Sequence, residues 1–185
     1  METLEVMFRL LRETFHKGRY KRIKPLLAQG TLLDIGCGKP CDSMPEGAFI
    51  KFMGRGTGMD IKDIPNADFE FKQGDILDIP FAAGSFDNVV AMHVLEHITD
   101  VDRALENVKR VLKDDGVFVM TTPDCKWWWN IFWEVWERTV GHMWHDEHPT
   151  KWGKKQWLAA MERHFKVESV QERWGFELIV KARKG

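Results

Sequence analysis

The stretch from Thr31 to Pro40, TLLDIGCGKP, constrains the chain more than any other. Leu32, Leu33 and Ile35 lead into a Gly-Cys-Gly turn, the pattern of a buried strand handing over to a loop that passes close to a ligand. Gly36 and Gly38 lack a Cβ, so the backbone there is free to take positive φ and to bring its N–H groups against a bound molecule. Asp34 lies at the carboxyl end of the strand, where open α/β sheets place their ligands. Taken alone, such a turn is also a plain strand-to-helix connection, so the question is whether acids recur at the ends of later strands.

They recur twice. A second short strand ends at Asp60, at close to the spacing expected between a first-strand glycine turn and an acid that accepts from a ribose diol. Asp68 to Gln73 alternates Phe69 and Phe71 with polar residues, as a strand does, and leads to GDILDIPF. There Asp75 stands beside Ile76 and Leu77, one polar acceptor among apolar walls, which suits a flat heteroaromatic base. A fourth strand, FDNVVAM, runs into HVLEHITD, where His93, Glu96 and His97 cluster past its end. The spacing of Val101, Ala104, Leu105, Val108, Val111 and Leu112 predicts a helix over Asp100 to Lys113, capped by Thr99 or Asp100 and ended by Gly116. The strand GVFVMT then stops at Thr122-Pro123-Asp124. Alternating strands and helices imply right-handed crossovers and a mainly parallel sheet.

Both ends of the chain add to this core. Leu4, Met7, Phe8, Leu11 and Phe15 recur at helical spacing, which predicts an amphipathic helix over residues 2–16. A second helix follows from Arg19 to Ala28, closed by Gly30. Lys17, Arg19, Lys21, Arg22 and Lys24 form a basic cluster, read as a solvated helix face or a contact for an anionic partner. Lys154 to His164 reads as a helix, and FKVESVQERW and GFELIVKARK as two strands turning around Gly175, an antiparallel pair at the sheet edge. The chain of 185 residues fits one domain. Its expected divisions are N-terminal helices over 1–30, a cofactor-binding core over 31–124, an aromatic acceptor segment over 125–164 and a strand pair over 165–185.

Charge and composition narrow the class. Lys and Arg number 27 against 28 Asp and Glu, so the overall field neither demands nor excludes a polyanionic partner. No apolar run approaches bilayer length, and the start METLEVMFRL lacks the basic region of a secretory signal, which together predict a soluble cytoplasmic protein. Three cysteines, Cys37, Cys41 and Cys125, are too few for a disulfide scaffold and read as packing residues.

Taken together, LLDIGCGKP, GMDI, QGDILDIPF, SFDNVVAMHVLEHITD and RVLKDDGVFVMTTPD resemble five ordered motifs of the class I S-adenosylmethionine-dependent methyltransferases, over about Thr31 to Asp124. The pattern is similar to the ubiquinone/menaquinone-biosynthesis-like subgroup. The resemblance implies a Rossmann-like α/β fold: a mainly parallel seven-stranded sheet with an antiparallel C-terminal pair and helices on both faces. The helix between the second and third strands should be reduced or absent, because few residues separate Asp60 from Asp68. The resemblance also implies S-adenosyl-L-methionine as cofactor and S-adenosyl-L-homocysteine as product. Asp34 would hold the cofactor's ammonium through water or backbone, and Gly36, Cys37 and Gly38 would approach its methionine part. Asp60 would accept both ribose hydroxyls. Asp75 and the Ile76 backbone would read the adenine edge, with Ile61 and Leu77 as walls, and His93 would lie near the reacting methyl group.

The acceptor side rests on the residues after the fifth strand. Candidate bases are His93 and His97, then His142, His145 and His148 in GHMWHDEHPT. No metal is expected, since Gly141 and Pro149 bracket that histidine series as a loop. Trp127, Trp128, Trp129, Trp133 and Trp136 run around most of a helix rather than along one stripe, which favours a lid over a flat or apolar substrate above a core or a membrane-surface anchor. The expected acceptor is a small, partly apolar or aromatic molecule. Three alternatives stay open: an RNA methyltransferase using the basic cluster, a catalytically silent cofactor-binding partner subunit, and an oxidoreductase, which lacks its third turn glycine near Cys41. The sequence leaves the oligomeric state undetermined.

Overall fold

The computed structural model describes residues 14, 16–38, 49–125 and 149–185. Seven strands form one sheet: β1 Leu32–Ile35, β2 Thr57–Asp60, β3 Glu70–Gln73, β4 Phe86–Met92, β5 Leu112–Pro123, β6 Lys166–Arg173 and β7 Glu177–Arg183. Their order is β3-β2-β1-β4-β5-β7-β6. β1 to β5 pair with one another in parallel, while β7 runs antiparallel to both β5 and β6. The expected C-terminal pair is present, but the final strand turns inward to lie against β5 and leaves β6 at the edge. Leu178, Ile179 and Val180 are fully buried there, whereas all but one of the β6 residues are half-buried or exposed, so the more apolar strand takes the inner place.

Helices cover both faces. Residues 16–23 form α1, and α2 is Phe49–Met53. On the other face lie α3, Val101–Val111, and α4, Lys154–His164. Leu105, Val108, Trp157 and Met161 pack with Leu33, Ile35, Val89, Met120 and Val180 in one cluster. Tyr20, Ile23, Phe49 and Ile50 pack with Leu32, Val90, Val119 and Ile179 in the second. Between β2 and β3 the chain passes through turns and bends without a helix, as the short spacing implied.

Two local expectations need correction. The helix α1 runs through Gly18, where the sequence reading placed a break, and a Cβ on Gly18 would lie 3.1 Å from Arg173 Nη2 of the C-terminal hairpin. It tightens into a 3₁₀ turn at Lys24–Leu26, where Pro25 lacks the amide that would continue an α-helix. The helix α3 ends at Val111 rather than near Lys113. Leu112 turns extended and pairs with Phe86 on β4, so the sheet captures the helix end. The left-handed residue of that connection is Asp115, with φ 60°. Gly116 serves a different need, since a Cβ there would fall 2.8 Å from the Lys113 carbonyl oxygen. At its start α3 is capped by Asp100, whose side chain accepts from Arg103 N at 3.1 Å.

Candidate active site

A cavity of about 670 Å³ opens at the carboxyl ends of β1, β2 and β4, where the strand order reverses direction about β1. Sheets of this type bind ligands at such a switch point. One part of its wall comes from Ile35, Gly36, Gly38, Met59, Asp60, Ile61, Lys62, Ile64, Gly74, Asp75 and Ile76, the other from His93, Val94, His97 and Ile98.

The glycine turn is folded back onto β2. Gly36 N and Cys37 N both donate to the Met59 carbonyl, at 2.7 and 3.1 Å. Gly36 and Gly38 have φ of 68° and 65°. Gly38 N donates to Asp60 Oδ2 at 3.0 Å, and Lys62 N donates to Asp60 Oδ1 at 2.9 Å. The carboxylate is therefore fixed in the cavity wall by two backbone donors from opposite sides. Asp75 is held in a similar way, with Oδ1 accepting from Leu77 N at 2.9 Å.

Asp34 lies behind the turn. It is fully buried, and neither carboxylate oxygen has a hydrogen-bond partner among the described residues. Burial, and then the nearby charge of Asp60, push its carboxyl well above the usual carboxylate range. Tyr20, from α1, is buried close enough to Asp34 that desolvation and the acid's charge push its phenol up to about 12. Burial likewise raises the Cys37 thiol, whose sulfur packs where a Cβ on Gly58 would fall 2.9 Å away.

The opposite wall is built on strained backbone. His93 has φ 54°, and its N–H donates to the Thr121 carbonyl at 2.9 Å. Its Nδ1 lies 2.9 Å from Glu96 Oε1 and its Nε2 lies 2.9 Å from Glu177 Oε1. Burial works to lower its titration point, but the hydrogen bonds with Glu177 and Glu96 outweigh burial and raise it. Burial would raise Glu177, yet the bonds from His93 and Arg173 and the charge of Arg19 bring it down to about 2.

The structure thus brings Gly36, Gly38, Asp60, Ile61, Asp75, Ile76, His93 and His97 around one cavity. Asp34, Cys37 and Leu77 are not in its wall. Cys37 faces the second core cluster, and Leu77 packs against the first while its carbonyl accepts from Arg103 Nε and Asn107 Nδ2. Trp127, Trp128, Trp129, Trp133, Trp136, His142, His145 and His148 lie outside the described residues. Sequence reasoning missed Lys62, Val94 and Ile98 in the cavity wall, and also Glu177 and Arg173 behind it. A signal existed for Glu177: an acid opening the otherwise apolar run ELIV has to be either exposed or paired. Of the basic cluster, Lys21, Arg22 and Lys24 are exposed, while Arg19 turns inward.

Residues 33–120 match the family described as Methyltransferase domain. An uncharacterised protein of Methanocaldococcus jannaschii is 30% identical over 138 residues, covering 62% of this chain and 49% of that protein. A demethylmenaquinone methyltransferase of Desulfitobacterium hafniense is 28% identical over 131 residues, covering 62% of this chain and 52% of that enzyme. The chain spans about half the length of these curated relatives. The solved structure of an S-adenosylmethionine-dependent methyltransferase from Thermotoga maritima superposes with a TM-score of 0.75 at 17% identity, covering 99% of this chain and 96% of that one, which shows a shared fold. The sheet order, the glycine turn and these matches define the class I methyltransferase fold. Over residues 33–120 the chain is thus similar to the methyltransferase domain, and it shares the fold of the solved S-adenosylmethionine-dependent methyltransferase.

Proposed function

We propose that the chain catalyses methyl transfer from S-adenosyl-L-methionine to a small, partly apolar or aromatic acceptor. The observation that supports this most is the convergence on one cavity of the glycine turn after β1, the acids after β2 and β3 and the histidine turn after β4. The residues present fit the cofactor. Among the described residues nothing lies within 4 Å of where a Cβ on Gly38 would stand, and Asp60 stands beside it as a fixed acceptor. Behind the turn, Asp34 keeps two carboxylate oxygens that have no hydrogen-bond partner among the described residues. When bound, the cofactor supplies a sulfonium-activated methyl group for in-line displacement by the acceptor's nucleophile.

The roles of the chain's own residues follow from their placement. Asp60 accepts from a diol, its two oxygens being already oriented by Gly38 N and Lys62 N. Asp75 and Ile76 bind the edge of a flat base, with Ile61 covering a face. Asp34, behind the turn, acts on an ammonium group through water or backbone, and a cation there favours release of the proton that burial holds on it. His93, Val94, His97 and Ile98 form the wall facing the acceptor, apolar except for two imidazoles, which excludes water while leaving polar groups to orient a nucleophile. Proton removal, where the acceptor needs it, falls to an imidazole of this wall.

Calorimetry with S-adenosylhomocysteine tests the cofactor reading, and Asp60→Ala should weaken binding at least about tenfold, the equivalent of one lost charge-assisted bond. A labelled-methyl screen over metabolite, lipid and tRNA pools then identifies the acceptor class. Binding of NAD in place of S-adenosylhomocysteine would refute the proposal.

A further inference from the structure

A buried charge cluster stands behind the acceptor-facing wall and ties it to the N-terminal helix. Glu177, at the start of β7, accepts from Arg19 Nε on Oε1 at 2.5 Å and from Arg173 Nη1 on Oε2 at 2.7 Å. Arg19, Arg173, Glu96 and Glu177 are all buried, and only His93 reaches the cavity. Burying charge in this way is unfavourable unless every member is paired. The helix α1 already docks on the sheet through Tyr20 and Ile23, so apolar contacts alone would suffice to fasten it. It nevertheless sends Arg19 inward, onto the same carboxylate that holds the cavity histidine.

The geometry at His93 Nε2 makes Arg19 more than an anchor. Nε2 lies 2.9 Å from Glu177 Oε1 and also 2.9 Å from Arg19 Nη2. The contact with Glu177 needs a proton on Nε2, whereas the contact with Arg19 needs a bare Nε2 lone pair. Arg19 and Glu177 therefore pull the same proton in opposite directions. Glu96 Oε1, on the 3₁₀ turn Leu95–His97, lies 2.9 Å from the other ring nitrogen as an ion-pair contact. Other elements contribute Arg173 from β6, acting through Glu177, His97 from the same turn, and the uncharged Thr121 and Thr122 from β5.

We infer that Arg19 is a positioning residue for methyl transfer: from α1 it holds Glu177 and, with it, sets the orientation and proton placement of the His93 ring in the wall that meets the acceptor. This rests on the methyltransferase reading above. Arg19 is buried behind the cavity wall rather than in it, and the N-terminal helix thereby becomes part of the active site's construction.

The test follows the ring Cε1–H of His93 by proton–carbon correlation spectroscopy of the full chain across pH, with and without S-adenosylhomocysteine, the resonance being assigned by its loss in His93→Gln. Arg19→Met removes the competing cation and should raise the His93 midpoint by about half a pH unit or more, while Glu177→Gln should lower it. Affinity for S-adenosylhomocysteine, governed by Asp60 and Asp75, should change less than about threefold in Arg19→Met, so a general collapse of the site is told apart from repositioning. Arg19→Lys keeps the charge but cannot hold Glu177 and His93 together, and it should also move the midpoint. If Arg19→Met does not fold, Arg19→Lys decides. An unmoved His93 midpoint in a folded variant that still binds S-adenosylhomocysteine overturns the inference alone. Failure of the unaltered chain to bind S-adenosylhomocysteine overturns the methyltransferase reading and this inference together.

Discussion

Gly36 and Gly38 make a matched pair from which the force on the cavity wall can be measured. Their φ angles, 68° and 65°, are nearly the same, so alanine at either position carries the same left-handed strain, about 1–2 kcal/mol. Their surroundings differ. Among the described residues a Cβ on Gly38 meets nothing within 4 Å, whereas one on Gly36 would lie 2.4 Å from Val94 Cγ2, with Val94 Cβ and Cγ1 at 3.7 and 3.8 Å. Carbon atoms prefer a separation of about 3.5–4.0 Å, so Val94 has to move by more than an ångström or rotate. Its backbone neighbour His93 is pinned by the bond to Thr121 and by both ring nitrogens, which leaves little room to yield. Overpacking of this kind costs about 1–3 kcal/mol. Gly36→Ala should therefore destabilise the protein by about 2–5 kcal/mol in urea unfolding, against about 1–2 kcal/mol for Gly38→Ala. Adding Val94→Ala to Gly36→Ala should recover the clash, appearing as a coupling of about 1–3 kcal/mol in the double-mutant cycle. Equal destabilisation by the two alanines, or a cycle that closes additively, would refute the argument that the turn and the Val94 wall are in contact through a missing Cβ.

Three further outcomes follow from the buried acids and the capped helix. Asp34 has a raised folded value, so the ligand-free protein holds this proton more tightly than the unfolded chain does. Its stability should fall as pH rises above the unfolded value of about 3.9, and Asp34→Asn should flatten that fall between pH 5 and 8 in denaturant titrations; parallel curves for the two proteins would exclude it. Glu177 has the opposite sign. Held down to about 2, it contributes stability above its unfolded value that is lost as pH falls toward 2. Glu177→Gln should thus cost about 3–5 kcal/mol at neutral pH, with the gap to the unaltered chain narrowing in acid unfolding. Asp100→Ala removes the cap of α3 and should cost about 1 kcal/mol, read as a lower urea midpoint with an unchanged slope.

Much of the cavity wall built on β1, β2 and β3 was legible in the residues themselves. An acid or glycine directly after a short apolar strand has few places to go in a parallel sheet, and Gly36, Gly38, Asp60, Asp75 and Ile76 all reached the cavity from strands read in order. Local pattern also placed β4 and α4 at their observed bounds. What it could not settle were choices made by partners distant in sequence. The end of α3 was decided by Leu112 pairing with Phe86, and Leu77 was drawn from the cavity wall into the core beneath α3. Whether Arg19 faced water or the interior depended on Glu177, 158 residues away, because a buried guanidinium is tolerated only where the fold delivers a carboxylate to meet it. The glycine turn and its acids are local chemistry written along single strands. The charge cluster behind His93 exists only once α1, β6, β7 and the turn after β4 are folded together.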